Sequence, residues 1–422
     1  MSRRRRALAT LVPVVAALAA VAALPAPAAL AAPRAGAPGV PAAAGALPTA
    51  TGACEEGRTQ YVADTPAALI RLAATRAWPL ATGRGVTVAV VDSGVAAANA
   101  HFPPGSVLPG RSYVGGSATT DTRLHGTAVA GIIAARPLPP RSGVQGLAKG
   151  ATILPVKVVG DERSDQGPDA DAGTLAEAIV WAAGQGAKVI NVSLSTTRDD
   201  PRLAAAVATA TQRGALVVAS AGTATAEDEL PVTGVRYPAG YPDVLGVAAT
   251  DADDVVAKTS VRGDHVDIAA PGVDVLTTFG AWGDCYLSAD EGSTSYATGY
   301  VSAAAALLAQ RFPAEGPRGW AHRLEATAAR ERRDARDDAV GWGLVQPVEA
   351  LTAVLDAGVA GPLLPGATPT PTPAAVTRRV TVGEEPDPLA GDRRTVLWVA
   401  VAGTALLLGL ALVRLQRRRP TG

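Results

Sequence analysis

Five nearly unbroken apolar runs recur through the middle of the chain, at residues 86–91, 152–159, 189–194, 215–220 and 244–249. Runs without polar alternation suit strands covered on both faces, where no side chain meets water. Between them lie stretches expected to be helical, at 125–135, 173–185 and 202–213, with a further one at 296–310. Gly186 and Gly214 follow the second and third and supply a stop, since glycine takes the left-handed conformation that ends a helix. Strands alternating with helices predict an α/β domain with a parallel sheet covered by helices on both faces. Polar residues break this pattern at three junctions. Asp92 ends the first apolar run, His125 opens a helix, and Ser295 stands immediately before another.

The ends of the chain read differently. Arg3, Arg4, Arg5 and Arg6, the apolar stretch 8–24 and the small residues Ala29-Leu30-Ala31 have the layout of a secretory signal over 1–31. An uncleaved anchor is the alternative, but the apolar stretch is short and interrupted by proline. Residues 32–79 form an extension, at first almost wholly Ala, Pro and Gly, then with an amphipathic pattern over 68–78. The domain is expected over 80–357, followed by a Thr-Pro-rich linker over 358–394. Residues 395–413 carry no charge and approach the roughly 20 residues a membrane helix needs. A core helix there would have nothing to pack against. The basic tail 414–422 favours a cytoplasmic C-terminus, an asymmetry that Arg393 and Arg394 weaken without reversing. The expected protein is exported and anchored once in the cell membrane, with its domain outside.

With 38 basic and 38 acidic residues the chain has no formal net charge, which argues against a nucleic-acid partner. No metal-ligand cluster and no cofactor motif stands out. The two cysteines, Cys54 and Cys285, lie in the exported part, where oxidation is permitted. They are expected to pair and tether the extension to the domain. Two separate thiols is the other reading, because spacing does not show that the two meet.

The junction residues sit in longer blocks: Val90-Val91-Asp92-Ser93-Gly94, Leu124-His125-Gly126-Thr127 and Ser293-Thr294-Ser295-Tyr296-Ala297. An Asp, a His and a Ser suit acyl transfer: the hydroxyl attacks, the imidazole moves the proton, and the carboxylate fixes the imidazole's tautomer. Ser295 opens a helix, whose free N–H groups favour a developing oxyanion. Ser293 is a rival nucleophile only if the helix register shifts by two positions. His101, His265 and His322 read as ordinary loop or surface residues.

These blocks resemble the subtilisin-like serine proteases, and within them the mycosins, the membrane-anchored proteases of actinobacterial type VII secretion. Ala77-Trp78-Pro79-Leu80, Gly83 and Gly85-Val86-Thr87 carry the likeness, as does the layout of signal, extension, domain, linker and terminal helix. The resemblance implies a subtilisin-like fold with Asp92 as orienting acid, His125 as base and Ser295 as nucleophile. It implies substrate binding along Ser193, Leu194 and Ser195, where an extended peptide adds to a strand edge. The substrates implied are peptides or secreted proteins, and the partners type VII membrane components. Four positions depart from the pattern. Thr223 stands where the family has an oxyanion-binding Asn, Ser293 replaces a Gly, and Gly299 replaces a Pro. Ser195 also replaces a Gly at the pocket floor. Two readings follow: a slow, selective serine endopeptidase, or a weakly active or inactive protein of the same fold serving the secretion complex by binding.

Overall fold

The computed structural model describes residues 54–160, 171–225, 228–288, 292–355, 361–362 and 389–417. The signal segment, the start of the extension, most of the linker and the last five residues fall outside that set.

Seven strands form one parallel sheet: β1 (Thr87–Asp92), β2 (Arg111–Ser112), β3 (Thr152–Lys157), β4 (Val189–Val192), β5 (Leu216–Ser220), β6 (Val244–Thr250) and β7 (Ile268–Pro271). Their order is β2-β3-β1-β4-β5-β6-β7. Five correspond to the apolar runs. β2 is two residues long and β7 ends in Pro271; both are edge strands, where a short run or a proline costs no ladder hydrogen bond. Side chains alternate across the sheet. Val88 and Val90 of β1 face one buried cluster with Leu216 and Val218 of β5, while Ala89, Val91, Val217 and Ala219 face the other. Each face is dry, and this explains the absence of a polar alternation.

The first face is covered by α3 (His125–Ala134) and α6 (Thr294–Arg311), with α7 (Gly316–Thr327) and α8 (Pro347–Thr352) behind. The second is covered by α4 (Ala172–Gly184) and α5 (Pro201–Gln212). α6 is buried on every side over most of its length, from Tyr296 to Ala309. Its Gly299 is explained by this crowding. A Cβ there would stand 3.0 Å from Cγ2 of Ile132 on α3, so the glycine lets the two helices approach rather than merely weakening one of them.

The amphipathic pattern at 68–78 gives two short helices, α1 (Ala67–Arg71) and α2 (Ala74–Ala77), separated because Ala73 is left-handed (φ 49°). Ahead of them the chain lies along a hairpin of β8 (Val275–Thr278) and β9 (Asp284–Leu287). Gln60 N–H donates to Trp282 O (3.0 Å), and Asp284 N–H donates to Gln60 O (2.9 Å). A disulfide joins Cys54 to Cys285, with Cα atoms 5.9 Å apart. A last helix, α9 (Ala390–Arg417), contains a segment, Gly391–Arg414, long and apolar enough to cross a membrane. Its apolar side chains are exposed.

The expectation that His101, His265 and His322 are loop or surface residues holds in part: His101 and His265 lie in turns, His322 lies in α7, and none is at the surface. All three are buried, at 0, 3 and 5% exposure. His101 is wedged between Arg136 O at Nδ1 and an Asp284 carboxylate oxygen at Nε2, each at 2.6 Å. Nε2 of His265 lies 2.9 Å from Ala221 O. None of the three belongs to an apolar periodicity, so the sequence carried no sign of their burial.

Candidate active site

β1 lies between β3 and β4 although it precedes both in the chain, so the strand order reverses at its carboxyl end. Such a switch point leaves a crevice at the strand ends. Asp92 is the last residue of β1, and its carboxylate is almost wholly buried. It accepts from Ser93 N–H at 2.7 Å, and its two oxygens lie 2.8 and 3.0 Å from Nδ1 of His125. The imidazole stacks on Tyr296, with ring centroids 5.5 Å apart and an interplanar angle of 26°. A Cβ at Gly126 would collide with the carbonyl oxygen of Gly94, so glycine is needed for α3 to bring His125 up against Asp92.

Opposing effects set the charges. Burial raises the Asp92 pKa, but the charge and hydrogen bond of His125, with two hydrogen bonds from Ser93, outweigh it; the carboxyl lies below its usual range. For His125, burial favours the neutral ring. The Asp92 charge and hydrogen bond, with a further pull from Asp121, overcome that and leave its pKa above the ordinary value.

Asp121 was missed in the sequence. It lies four residues before His125, and its carboxylate accepts five hydrogen bonds. Oδ1 takes Ser93 Oγ–H (2.9 Å), Arg123 N–H (3.1 Å) and Leu124 N–H (2.9 Å); Oδ2 takes Thr127 N–H (2.8 Å) and Thr127 Oγ1–H (2.6 Å). It therefore caps α3 and holds Leu124 in a left-handed conformation (φ 67°) that a leucine adopts only under constraint. An Asp just ahead of a helix is the one signal that could have revealed it.

Ser295 lies in the first turn of α6, and its hydroxyl donates to the carbonyl oxygen of Ser193 at 3.0 Å. Ser193, Leu194 and Ser195 continue from β4 as one rim of a cavity of about 620 Å³, and Ser220, the last residue of β5, and Thr223 after it form the other rim. Asp92, His125 and Ser295 line the same cavity. All the residues singled out for the cleft are thus brought together, and the disulfide cysteines lie apart on the β9 hairpin. Residues 54–79 contribute nothing to the lining.

Two of the sequence departures change meaning. Ser293 has extended backbone (φ −117°, ψ 116°), so the serine meets no left-handed strain, and it is the residue flanking α6 rather than a member of its first turn. The Thr223 hydroxyl is turned onto the start of α6. It accepts from Thr294 N–H (3.2 Å) and shares a hydrogen bond with Thr294 Oγ1 (2.8 Å), which also meets Ser220 Oγ (2.6 Å). A hydroxyl so engaged points at protein rather than substrate. Among the described residues no cluster of His, Cys, Asp or Glu is arranged to hold a metal ion.

Comparison with known proteins agrees with this geometry. The subtilase family model matches residues 83–343. Mycosin-1 of Mycobacterium tuberculosis (strain ATCC 25618 / H37Rv) is 34% identical over 400 residues, covering 84% of this chain and 85% of that protein. The structure of the MycP3 protease from the type VII (ESX-3) secretion system superposes with a TM-score of 0.62 at 32% identity, over 70% of this chain and 91% of that one. A chain of an intact ESX-5 inner membrane complex superposes at 0.61 with 29% identity, over 85% and 93%. The chain belongs to the subtilase family of peptidases, and its likeness over most of its length is to the mycosins.

Proposed function

We propose that the protein is an exported, membrane-tethered serine endopeptidase that acts slowly through Asp92, His125 and Ser295 and serves a type VII secretion apparatus. The observation that carries this reading is the buried Asp92 carboxylate on His125 Nδ1, in one cavity with a serine at a helix start. Asp92 keeps the proton on Nδ1, so Nε2 is the basic nitrogen available to the cleft. Ser295 rotates its hydroxyl away from Ser193 O, gives its proton to Nε2 and bonds to the substrate carbonyl carbon. The imidazolium then protonates the leaving amine. Water repeats the sequence in reverse and frees the acid product.

The developing oxyanion is left mainly with the Ser295 backbone N–H, because the Thr223 hydroxyl is engaged with Thr294, whose own N–H it holds. That is the physical basis for slow turnover. It equally supports a second reading, a protein that holds peptides or secretion components and cleaves little. Likeness to a chain of the ESX-5 complex supports the link to secretion, and the exposed apolar segment Gly391–Arg414 supports an anchor with Arg414 and the residues after it in the cytoplasm.

The test is labelling of the full-length chain by a serine-directed fluorophosphonate. Labelling that is lost in Ser295→Ala supports the enzyme. Equal background labelling of both proteins sinks it and leaves the binding reading.

A further inference from the structure

The two rims of the cleft leave a gap beside Ser295. Ser193 to Ser195 bound it on one side and Ser220 and Thr223 on the other, at the ends of the neighbouring strands β4 and β5. If a substrate's carbonyl carbon sits on Ser295 Oγ while its backbone runs along the β4 rim, the side chain preceding the scissile bond enters this gap. What closes the far end of the gap therefore selects that side chain.

Arg236 closes it. The residue is half-buried and lines the same cavity as Ser195, Thr223 and Ser295. Its neighbour Tyr237 is fixed to the β4 rim by paired backbone hydrogen bonds with Thr196, at 2.9 and 2.8 Å. Its side chain then passes under the β5 rim: a Cβ placed on Gly222 would be 3.0 Å from Arg236 Cγ and 3.4 Å from Ser195 Oγ. Gly222, with φ +100°, thus gives room for the arginine as well as the turn. The guanidinium has five N–H donors. Nη1 makes two long bonds, to Gly234 O and Val235 O, both 3.3 Å. The other donors have no hydrogen-bond or ion-pair partner among the described residues. Asp228 is the carboxylate whose field Arg236 touches, and it is engaged elsewhere, accepting from Thr225 N–H (2.7 Å) and Thr225 Oγ1–H (3.0 Å).

We infer that Arg236 is a specificity-determining residue and that the substrate carries a carboxylate side chain, Asp or Glu, immediately before the scissile bond. The Arg236 donors that have no partner among the described residues leave a planar fork that a carboxylate fills with two hydrogen bonds. An apolar side chain there would bury donors without satisfying them, and a basic one would meet like charge. The inference deepens the proposed endopeptidase reading and rests on it only for the word substrate.

The experiment compares peptidyl diphenyl phosphonates that differ only in Glu or Gln before the phosphorus, reacting with the full-length chain in detergent micelles. Glu and Gln have nearly the same shape, so their ratio isolates charge. The wild type is expected to react with the Glu probe at least about tenfold faster, the order expected for one charged hydrogen-bonded contact. That ratio should fall toward one in Arg236→Gln and be largely kept in Arg236→Lys. The wild-type ratio needs no variant, so a misfolded mutant does not shield the idea. A second arm measures anisotropy of fluorescent peptides ending in Glu or Gln α-amide on Ser295→Ala. No phosphonylation with Glu-selective binding removes the enzyme reading and keeps Arg236. Phosphonylation of Ser295 with equal Glu and Gln rates overturns the Arg236 inference alone.

Discussion

Acids and histidines gather at both ends of the same parallel sheet, and burial acts on the two groups with opposite results. At the carboxyl ends Asp92 and His125 meet directly, and their pKa values are driven apart, the acid down and the base up. At the amino ends, beside the first residues of β5, β6 and β7, a second cavity of about 630 Å³ gathers Asp267, Glu325, His265 and His322. There burial dominates. It pushes Asp267 up to about 7 and Glu325 up to about 8, and it lowers both histidines. The cleft stabilises a charged pair; the far end neutralises each group separately. The difference lies in partners rather than depth. Asp92 has an imidazole and two hydrogen bonds from Ser93, whereas among the described residues Asp267 has one, from Gly246 N–H at 2.7 Å, and both ring nitrogens of His322 have no hydrogen-bond partner. A perturbed pKa therefore does not by itself mark a functional site, since burial alone produces one at the far end.

The largest expected effect follows from that contrast. Asp92→Asn should lower Ser295 acylation by about 10⁴-fold, the order general to such triads, because the imidazole loses its tautomer and its counter-charge. The acid limb of the rate profile should move as well. In the wild type the rate should fall as pH drops through a pKa above histidine's ordinary value, since His125 must be neutral to accept a proton. Without Asp92 that limb should shift to lower pH. Asp267→Asn at the other end should leave rate and profile within about twofold of wild type, as expected for a site remote from the chemistry. A comparable loss from both changes would break the distinction.

Thr223→Asn sharpens the account of the cleft. Loss of the equivalent amide in a subtilisin costs about 10²–10³ in turnover, so supplying it here should raise kcat by at least roughly tenfold with KM little changed. Single-turnover acylation with an activated ester measures it. An unchanged rate in a protein that still labels at Ser295 would mean that the Thr294 network, not the missing amide, sets the pace.

A smaller effect separates packing from propensity. On helix propensity alone, Gly299→Ala should stabilise by about 1 kcal/mol. Its place against Ile132 reverses the sign, and overpacking there should cost about 1–3 kcal/mol in denaturant titrations. A stabilised variant would mean that α3 and α6 yield more readily than their burial suggests.

The parts of this molecule that sequence made legible are those where local pattern and tertiary role coincide. Five dry strands read as apolar runs, and Asp92, His125 and Ser295 stand at strand or helix ends. Edge strands β2 and β7 were too short or too proline-bound to register. Gly299 and Ser293 looked like defects, because helix contacts and backbone angles are not written in a motif. Asp121 and Arg236 were invisible for a related reason. The first acts through a turn's backbone, and the second enters the cleft only because Tyr237 pairs with Thr196, 41 positions earlier in the chain.

The smallest expected effect lies at the amino ends and concerns stability. Asp267 and Glu325 have folded pKa values of about 7 and about 8, above the roughly 4 of an unfolded carboxyl. For Asp267 burial leads, and a hydrogen bond from Gly246 and the charge of Arg336 offset it only in part; for Glu325 burial leads, repulsion from Asp267 adds to it, and Arg336 and Arg330 offset part. Between pH 4 and 8 these two carboxyls therefore bind more protons in the folded protein than in the unfolded chain, and their contribution to stability falls as pH rises; the lowered His265 and His322 act in the opposite sense. The contribution is complete below about pH 4 and gone once pH passes the folded values. Both side chains keep some solvent contact, so screening should limit the effect to a few degrees of Tm. Asp267→Asn keeps an acceptor for Gly246 N–H, and Glu325→Gln keeps the shape; neither can ionise. Thermal melts of wild type and the double variant at pH 5 and pH 8 should show a drop in the wild type that is reduced in the variant. Asp92 acts in the opposite sense on the acid side, since its lowered pKa contributes stability that is lost as pH falls through it, whereas the raised pKa of His125 contributes stability that is lost as pH rises. A wild type whose Tm rises from pH 5 to pH 8 would mean that the lowered pKa values of His265 and His322, not the two raised carboxyls, govern stability in that range.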